Sequence, residues 1–167
     1  REVEIGPNET AGELHDRLKE IGAEAVLETV RRIESGNVET RPQDDAQASP
    51  APKLDSEEGR IDWTRPASEL HDHVRGLSPY PGAWTMDGDT RLKIYRSRPV
   101  SAAQSGAPMD EEDVAPGTVI RAGRELTVAC GEDALELLEI QQPGRSVLDA
   151  EDFLNGYDFP DGTVLGD

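Results

Sequence analysis

The stretch SPYPGAWTMDGDTRLKIY, residues 78–95, contains the clearest strand signals of this sequence. Two short runs of strand-forming residues, 83–86 and 91–95, flank Asp87-Gly88-Asp89, and this arrangement is typical of a tight hairpin turn. The turn Pro79 to Gly82 comes just before the first run and predicts a rigid corner where a helix ends and a sheet begins. The stretch therefore predicts the start of an antiparallel sheet.

A helix is predicted immediately before this corner. Leu70, Val74 and Leu77 recur at spacings of four and three, which places them on one apolar face. Pro66 is expected in the first turn of this helix, with Thr64 or its neighbour as the cap.

Three more short strands are predicted after the hairpin, at 119–120, 126–129 and 135–140. The small and acidic run 99–113 is predicted to be a loop, and Asp149 is expected to cap a last short helix. About five short antiparallel strands with one helix favour a small β-barrel of the oligonucleotide-binding (OB) type, with a plain sandwich as the alternative. The chain is thus predicted to be α+β and mainly β.

The N-terminal part of the sequence has a helical pattern. Thr10-Ala-Gly-Glu13 has the spacing of a capping box, and apolar residues follow at helical intervals. Two consecutive helices, or one helix kinked near Gly22, are predicted over about 10–35. Their apolar stripe has no evident partner in the rest of the sequence, so residues 1–36 are expected to pack on a body upstream of Arg1.

Between this helical part and the predicted barrel lies a proline-rich segment. Residues 37–58 contain Pro42, Pro50 and Pro52 and almost no apolar side chains, which is typical of an extended linker. The sequence therefore predicts a helical end, 1–36, a linker, 37–58, and a barrel domain, 59–167.

The charge of the chain is strongly negative, with 17 basic and 35 acidic residues and a formal net charge of −18. Such acidity with few lysines suits a protein that stays soluble in concentrated salt, and an acidic partner-binding surface is the competing explanation. Only residues 60–98 have more basic than acidic side chains. This segment also carries aromatic residues, and Arg91, Lys93 and Tyr95 share one strand face, a combination that RNA-binding barrels use.

Other functional sites find little support in the sequence. His71 and His73 are two residues apart on a helix and face different directions, and the acidic run 110–113 lacks the ligand spacing of a calcium loop, so no metal site is expected. Cys130 is expected to be a small buried residue. No apolar run approaches the ~20 residues of a membrane helix. A cytoplasmic protein, monomeric and with no membrane partner, is expected.

Several ordered segments of the sequence resemble the C-terminal half of the methionyl-tRNA formyltransferases. These segments are ETAGELHDRLKEIGAEAVLETVRRIESG (9–36), PQDDAQASPAPKLDSEEGRIDW (42–63), LSPYPGAW (77–84), RLKIYRS (91–97), PGTVI (116–120) and LTVACGEDALELLEIQQPGRSVLDAEDFLNG (126–156). The resemblance covers nearly the whole chain. We interpret SPYPGAW itself as a rigid corner, which Trp63 and Trp84 anchor in the core, rather than as an aromatic binding platform.

The resemblance implies a parent enzyme that transfers a formyl group from 10-formyltetrahydrofolate to methionyl-initiator tRNA. A Rossmann-like domain upstream of Arg1 would hold the folate and the catalytic asparagine, histidine and aspartate. Residues 1–36 would then be the helical end of that domain, and the barrel would help to hold tRNA. No catalytic residue is therefore expected in this chain, and the chain alone is expected to be inactive.

The resemblance and the basic segment together give a set of candidate tRNA-binding residues. Lys53 matches the linker lysine of the family, and the complete set is Lys53, Arg60, Arg75, Arg91, Lys93 and Arg96. Two alternatives remain: the C-terminal domain of a sugar-nucleotide or folate-type formyltransferase, and a non-enzymatic acidic interaction module. The end of the sequence at Asp167, directly after the predicted barrel, favours the tRNA enzyme.

Overall fold

A computed structural model describes residues 1–101, 114–121, 124–160 and 162–166. Its helices are α1 (Ala11–Glu34), α2 (Ala67–Leu77) and α3 (Ala150–Leu154), and two 3-10 turns, Asp45–Gln47 and Glu57–Gly59, lie between α1 and α2. Its strands are β1 (Ala83–Asp87), β2 (Thr90–Val100), β3 (Val119–Arg121), β4 (Leu126–Ala129), β5 (Ala134–Gln141) and β6 (Leu148–Asp149). None of the helices in these ranges is long and apolar enough to cross a membrane.

The described strands form one antiparallel sheet in the order β1-β2-β5-β4-β3, and β6 pairs with β5. The predicted hairpin is confirmed, because Asp87 pairs with Thr90 across a two-residue turn. Gly88 in this turn has a φ of 53°, a backbone conformation that glycine adopts without strain. The turn residues therefore agree with the hairpin, which the pairing of β2 with β5 supports further.

Helix α2 packs on the inner face of the sheet through the predicted residues Leu70, Val74 and Leu77, which are all buried. The predicted N-terminus of this helix was wrong by a few residues. Pro66 is the capping residue itself and no side chain caps the helix, whereas the Thr64 hydroxyl donates to the Asp62 carboxylate at 2.6 Å. Because the Thr64 hydroxyl is bonded to Asp62, it does not cap the helix.

Strand β2 extends further than the sequence predicts, because Pro99 and Val100 pair with β5 and do not belong to a loop. Pro99 has no N–H to donate, but β1 pairs with β2 only as far as Ile94, so none of the described strands pairs with the other side of β2 at this point. The rest of the predicted loop, 102–113, lies outside the described residues. Strand β6 was not predicted.

The C-terminal segment 163–166 lies between β3 and β1, which do not pair with each other in the described chain. On one side, two backbone hydrogen bonds of 2.8 and 2.9 Å join it to residues 117–119. On the other side, the N–H of Gly166 donates to the carbonyl of Met86 at 2.8 Å, and Leu165 is buried between them. The segment thus forms a seam that completes the barrel-like sheet. The prediction of an α+β chain with a small barrel is confirmed.

Helix α1 is one continuous helix, so Gly22 does not break it. The capping box predicted for Thr10 and Glu13 is present, and Gly36 follows the helix with a φ of 71°. The first turn of α1 contacts the barrel, since the N–H of Gly12 donates to the carbonyl of Ser78 at 2.9 Å. This contact was not predicted.

The rest of α1 leaves its apolar stripe uncovered in the described chain. The exposed side chains of this stripe are Leu18, Val26, Leu27, Val30 and Ile33. The following segment, residues 37–58, for which a linker is predicted, is exposed throughout.

The two tryptophans near the corner lie on opposite faces of the sheet, which corrects the prediction that both anchor the core. Trp63 is in the core, and its indole N–H donates to the buried hydroxyl of Thr85 at 3.0 Å. Trp84 lies on the outer face, where its indole N–H donates to the carbonyl of Ser56 at 2.8 Å. Because side chains alternate along β1, Thr85 points inward and Trp84 must point outward.

The contact between α1 and the barrel is expected to weaken in acid. The backbone N–H of Thr10 and the guanidinium of Arg96 hold the pKa of Glu13 at about 2, below its ordinary 4.5. Because the pKa is depressed in the folded state, the stability it contributes is present above pH 4.5 and is lost as the pH falls towards 2. We expect the melting temperature of Glu13→Gln to vary less between pH 5 and 2 than that of the wild type.

Glu20→Gln removes the same charge from an exposed position of α1 and serves as the control for this comparison. Equal pH dependence of the wild type and Glu13→Gln would contradict the role assigned to the Glu13 carboxylate.

Candidate nucleic-acid interface

Two arginines lie against the outer-face tryptophan of β1. The guanidinium carbon of Arg91 lies 3.9 Å from the centroid of the Trp84 ring, and that of Arg60 lies 5.8 Å from it. Both distances are within the range of cation–π attraction. The structure therefore brings together two of the predicted candidates, which are 31 positions apart in the sequence.

The end of the linker buries this tryptophan, so that only 5% of Trp84 is exposed. Gly59 packs so closely that an added Cβ would lie 2.7 Å from the carbonyl oxygen of Gly82 and 3.0 Å from Cδ1 of Trp84. Arg60 is held here by a hydrogen bond from its guanidinium to the carbonyl of Gly166, at 2.6 Å. Trp84 therefore acts as a fixed support for the guanidinium groups rather than as an exposed stacking platform.

A groove of about 250 Å³ opens beside Arg91. It is lined by Arg91 and Lys93 of β2, Gln141 at the end of β5, and the turn Gln142–Arg145 that follows. Three of these side chains are cationic. The only acidic partner within 4 Å of any of the three, in the part of the chain that is described, is Glu57, whose carboxylate lies 3.9 Å from the Arg91 guanidinium.

Hydrogen bonds fix the walls of this groove. The ammonium of Lys93 donates to the carbonyl of Pro81 at 2.9 Å. The Gln141 amide accepts from the Tyr95 hydroxyl at 2.8 Å and donates to the carbonyl of Arg145 at 2.7 Å. The ammonium of Lys93 retains two further N–H donors, since it carries three in all. The Lys93 and Gln141 side chains are therefore held in place, and they present donors to the groove.

Arg75 and Arg96 lie elsewhere, at the contact between the N-terminal segment and the barrel. The Arg75 guanidinium donates to Asp72 at 2.7 Å and to the backbone carbonyls of Gly6 and Glu9 at 3.4 and 3.3 Å. Arg96 forms ion pairs with Glu13 and Glu139. Both guanidinium groups thus already have partners within the protein.

The remaining candidate, Lys53, lies on the exposed linker and does not line the groove. Sequence reasoning missed Gln142 and Arg145, which the structure adds to the groove. The pattern Gln-Gln-Pro-Gly-Arg at 141–145 does predict a turn. Its position beside Arg91 depends on the pairing of β2 with β5, which the sequence alone does not give.

Two other reactive side chains, Cys130 and His71, are buried. Burial raises the pKa of the Cys130 thiol to about 12, so this thiol stays protonated. His71 is buried, with Nε2 donating to the carbonyl of Pro7 at 3.1 Å and Nδ1 lying 3.2 Å from the Ser97 hydroxyl. No three histidine, cysteine, aspartate or glutamate side chains come together as a metal site within the described ranges.

Comparison with known families identifies the barrel. The model of the "Formyl transferase, C-terminal domain" family matches residues 53–158. The chain belongs to this family.

Relatives of this formyl transferase C-terminal domain match the whole chain. Methionyl-tRNA formyltransferase of Solibacter usitatus is 47% identical over 167 residues, which are 100% of this chain and 51% of the relative. The enzyme of that name from Roseobacter denitrificans is 43% identical over 163 residues, 98% of this chain and 49% of the relative. The chain therefore spans about half the length of these relatives.

The fold of the formyl transferase C-terminal domain also matches a solved structure. HypX from Aquifex aeolicus superimposes with a TM-score of 0.67 and 18% identity, over 93% of this chain and 27% of HypX. At this identity the likeness concerns the fold alone.

Proposed function

We propose that the chain is the C-terminal part of a methionyl-tRNA formyltransferase and that it binds and positions the tRNA substrate. The observation that carries the proposal is the 43–47% identity, over 98–100% of the chain, with two proteins of that name. The parent enzyme would transfer a formyl group from 10-formyltetrahydrofolate to the amino group of methionyl-initiator tRNA. The same relatives argue against a sugar-nucleotide enzyme and against a non-enzymatic acidic module.

The tRNA-binding surface is assigned to the groove and its surroundings. Lys93 and Arg145 supply cationic donors for backbone phosphates, and Arg60, Arg91 and the linker residue Lys53 extend this surface. Arg75 and Arg96 are assigned a positioning role, because their guanidinium groups hold the N-terminal segment against the barrel. This division narrows the six sequence candidates to four direct contacts and adds Arg145.

The chemistry of formyl transfer is assigned to another part of the enzyme. HypX, which shares this fold, has been solved in a complex with tetrahydrofolic acid, and a folate is the expected co-substrate of the parent enzyme. The isolated chain should transfer no formyl group and need no metal. It is proposed to act in the cytoplasm as a monomer.

The proposal is tested by titrating the chain into fluorescently labelled initiator tRNA at several salt concentrations. Each phosphate contact releases counterions, so Lys93→Ala and Arg145→Ala should each weaken binding and lower the slope of log K against log salt by about 1. Arg32→Ala is the control, because Arg32 is exposed like Arg145 but lies on α1 and pairs with Glu28. It should leave both affinity and slope unchanged.

Two results would contradict the assignment. Absence of tRNA binding by the wild-type chain would overturn the proposed function. Equal salt slopes in the wild type, Lys93→Ala and Arg145→Ala would leave tRNA binding intact but remove it from this groove.

A further inference from the structure

The guanidinium of Arg91 presents a flat cationic surface to the groove. Its central carbon lies 3.9 Å from the centroid of the Trp84 ring, and the Arg91 side chain is still 45% exposed. A separation this short fits a guanidinium that lies face-on to the indole, which leaves the opposite face for a ligand. A guanidinium plane in this setting is a stacking surface for an aromatic ring, as RNA-binding proteins use for unstacked bases.

Contacts within the protein restrain the Arg91 head group before any ligand binds. Trp84 is anchored by its hydrogen bond to Ser56, and the Glu57 carboxylate lies 3.9 Å from the Arg91 guanidinium. Little side-chain freedom therefore remains to be lost when a ring stacks on Arg91.

The size and lining of the groove indicate how much of a ligand it holds. Its volume of about 250 Å³ lies below the ~300–1,000 Å³ of pockets that enclose a whole drug-sized molecule. Cationic donors of Lys93 and Arg145 lie beside the Arg91 surface. The Gln142 side chain also lines the groove and has no hydrogen-bond partner among the described residues, so it offers both a donor and an acceptor.

We propose that this groove binds a single unstacked nucleotide of an RNA strand. Its base stacks on the exposed face of Arg91, its phosphate lies between Lys93 and Arg145, and the Gln142 amide hydrogen-bonds the base edge. The inference rests on the proposed tRNA function and adds that the RNA must present an unpaired base here, which a continuous duplex does not.

The charge of the chain is consistent with such a contact. The net charge of −18 repels an RNA backbone, and phosphate contacts lose affinity steeply as salt rises. Stacking of a base on a guanidinium that is supported by an indole depends much less on salt. A stacked nucleotide would therefore retain RNA under conditions that weaken bare phosphate contacts.

The test compares Arg91→Lys with the wild-type chain on two probes: a labelled single-stranded RNA dodecamer of mixed sequence, and the same RNA annealed to its complement. Lysine keeps the charge but removes the planar surface. We expect Arg91→Lys to bind the single strand about tenfold more weakly and the duplex within twofold of the wild type. Gln142→Ala, which removes an amide with no described partner, should also weaken only single-strand binding.

Arg65→Lys is the matched control, because the Arg65 side chain is also 45% exposed and also pairs with a glutamate, Glu69. It should change neither affinity. If Arg91→Lys leaves single-strand binding unchanged, or weakens both probes equally, while initiator tRNA still binds the wild type, the nucleotide site is overturned and the proposed function stands. If the wild type binds neither RNA probe nor initiator tRNA, both fail.

Discussion

Replacing Gly131 by alanine is expected to lower the free energy of unfolding by about 3–5 kcal/mol. A Cβ at this position would overlap the carbonyl oxygen of Thr64 and would lie 2.6 Å from its carbonyl carbon. Both are backbone atoms of the segment that leads into α2, so no side-chain rotation relieves the overlap. The backbone must therefore move to relieve the overlap. This movement would break the hydrogen bonds from the Gly131 N–H to the carbonyls of Trp63 and Arg65, at 2.9 and 3.1 Å.

Gly76→Ala is the matched control, since a Cβ there meets no atom within 4 Å. Gly76 lies in α2, where alanine is the better helix former, so the free energy of unfolding of this variant should rise by roughly 0.5 kcal/mol. Urea denaturation of both variants and the wild type measures these free energies. Similar midpoints for Gly131→Ala and the wild type would show that the backbone at Thr64 can move aside.

Replacing Trp63 by alanine is expected to cost about 3–5 kcal/mol of stability. The side chain is 4% exposed, belongs to the core, and supports the C-terminal seam, because a Cβ on Gly166 would lie 3.2 Å from its Cδ1. Removal of the indole would leave a large cavity and would leave the buried Thr85 hydroxyl without its partner.

Two further variants separate the contribution of packing from that of the hydrogen bond to Thr85. Trp63→Phe keeps most of the packing but loses the hydrogen bond, so about 1–3 kcal/mol is expected. Tyr80→Ala removes an aromatic side chain that is 79% exposed, and it should change stability by less than about 0.5 kcal/mol. Thermal or urea denaturation would measure all three. If Trp63→Ala loses no more stability than Tyr80→Ala, the place of Trp63 in the core is contradicted.

The parts of the fold that the sequence predicted are those with local causes. The hairpin at Asp87 follows from its turn residues and the apolar face of α2 from helical spacing. The seam has no such signal, because residues 163–166 gain their strand-like hydrogen bonds only from distant partners. Pro99 was assigned to a loop for a related reason: whether a proline fits in a strand depends on which side of that strand is paired.

The candidate interface could be predicted only in part, because it too depends on contacts between residues that are distant in the sequence. Alternation along β2 places Arg91 and Lys93 on one face, but it does not show that Trp84 lies beneath Arg91. The role of an arginine depends on the acceptors around it, and these come from distant positions. In the sequence, Arg75 and Arg96 cannot be distinguished from Arg91 as RNA-binding candidates. In the structure, their guanidinium groups already bind carbonyls and carboxylates of the N-terminal segment and the sheet.

The C-terminal seam also has a consequence for the order of folding. The β1–β2 hairpin forms between residues close in sequence, whereas the seam joins Met86 to Gly166 and residues 117–119 to Thr163 and Leu165. Because contacts between distant residues form late, the seam should be among the last parts of the barrel to assemble, during synthesis as well as on refolding. Until it forms, β1 near Met86 and the edge beside β3 lack these backbone partners, and unpaired strand edges promote aggregation. The nascent chain is therefore most vulnerable just before residues 163–166 become available.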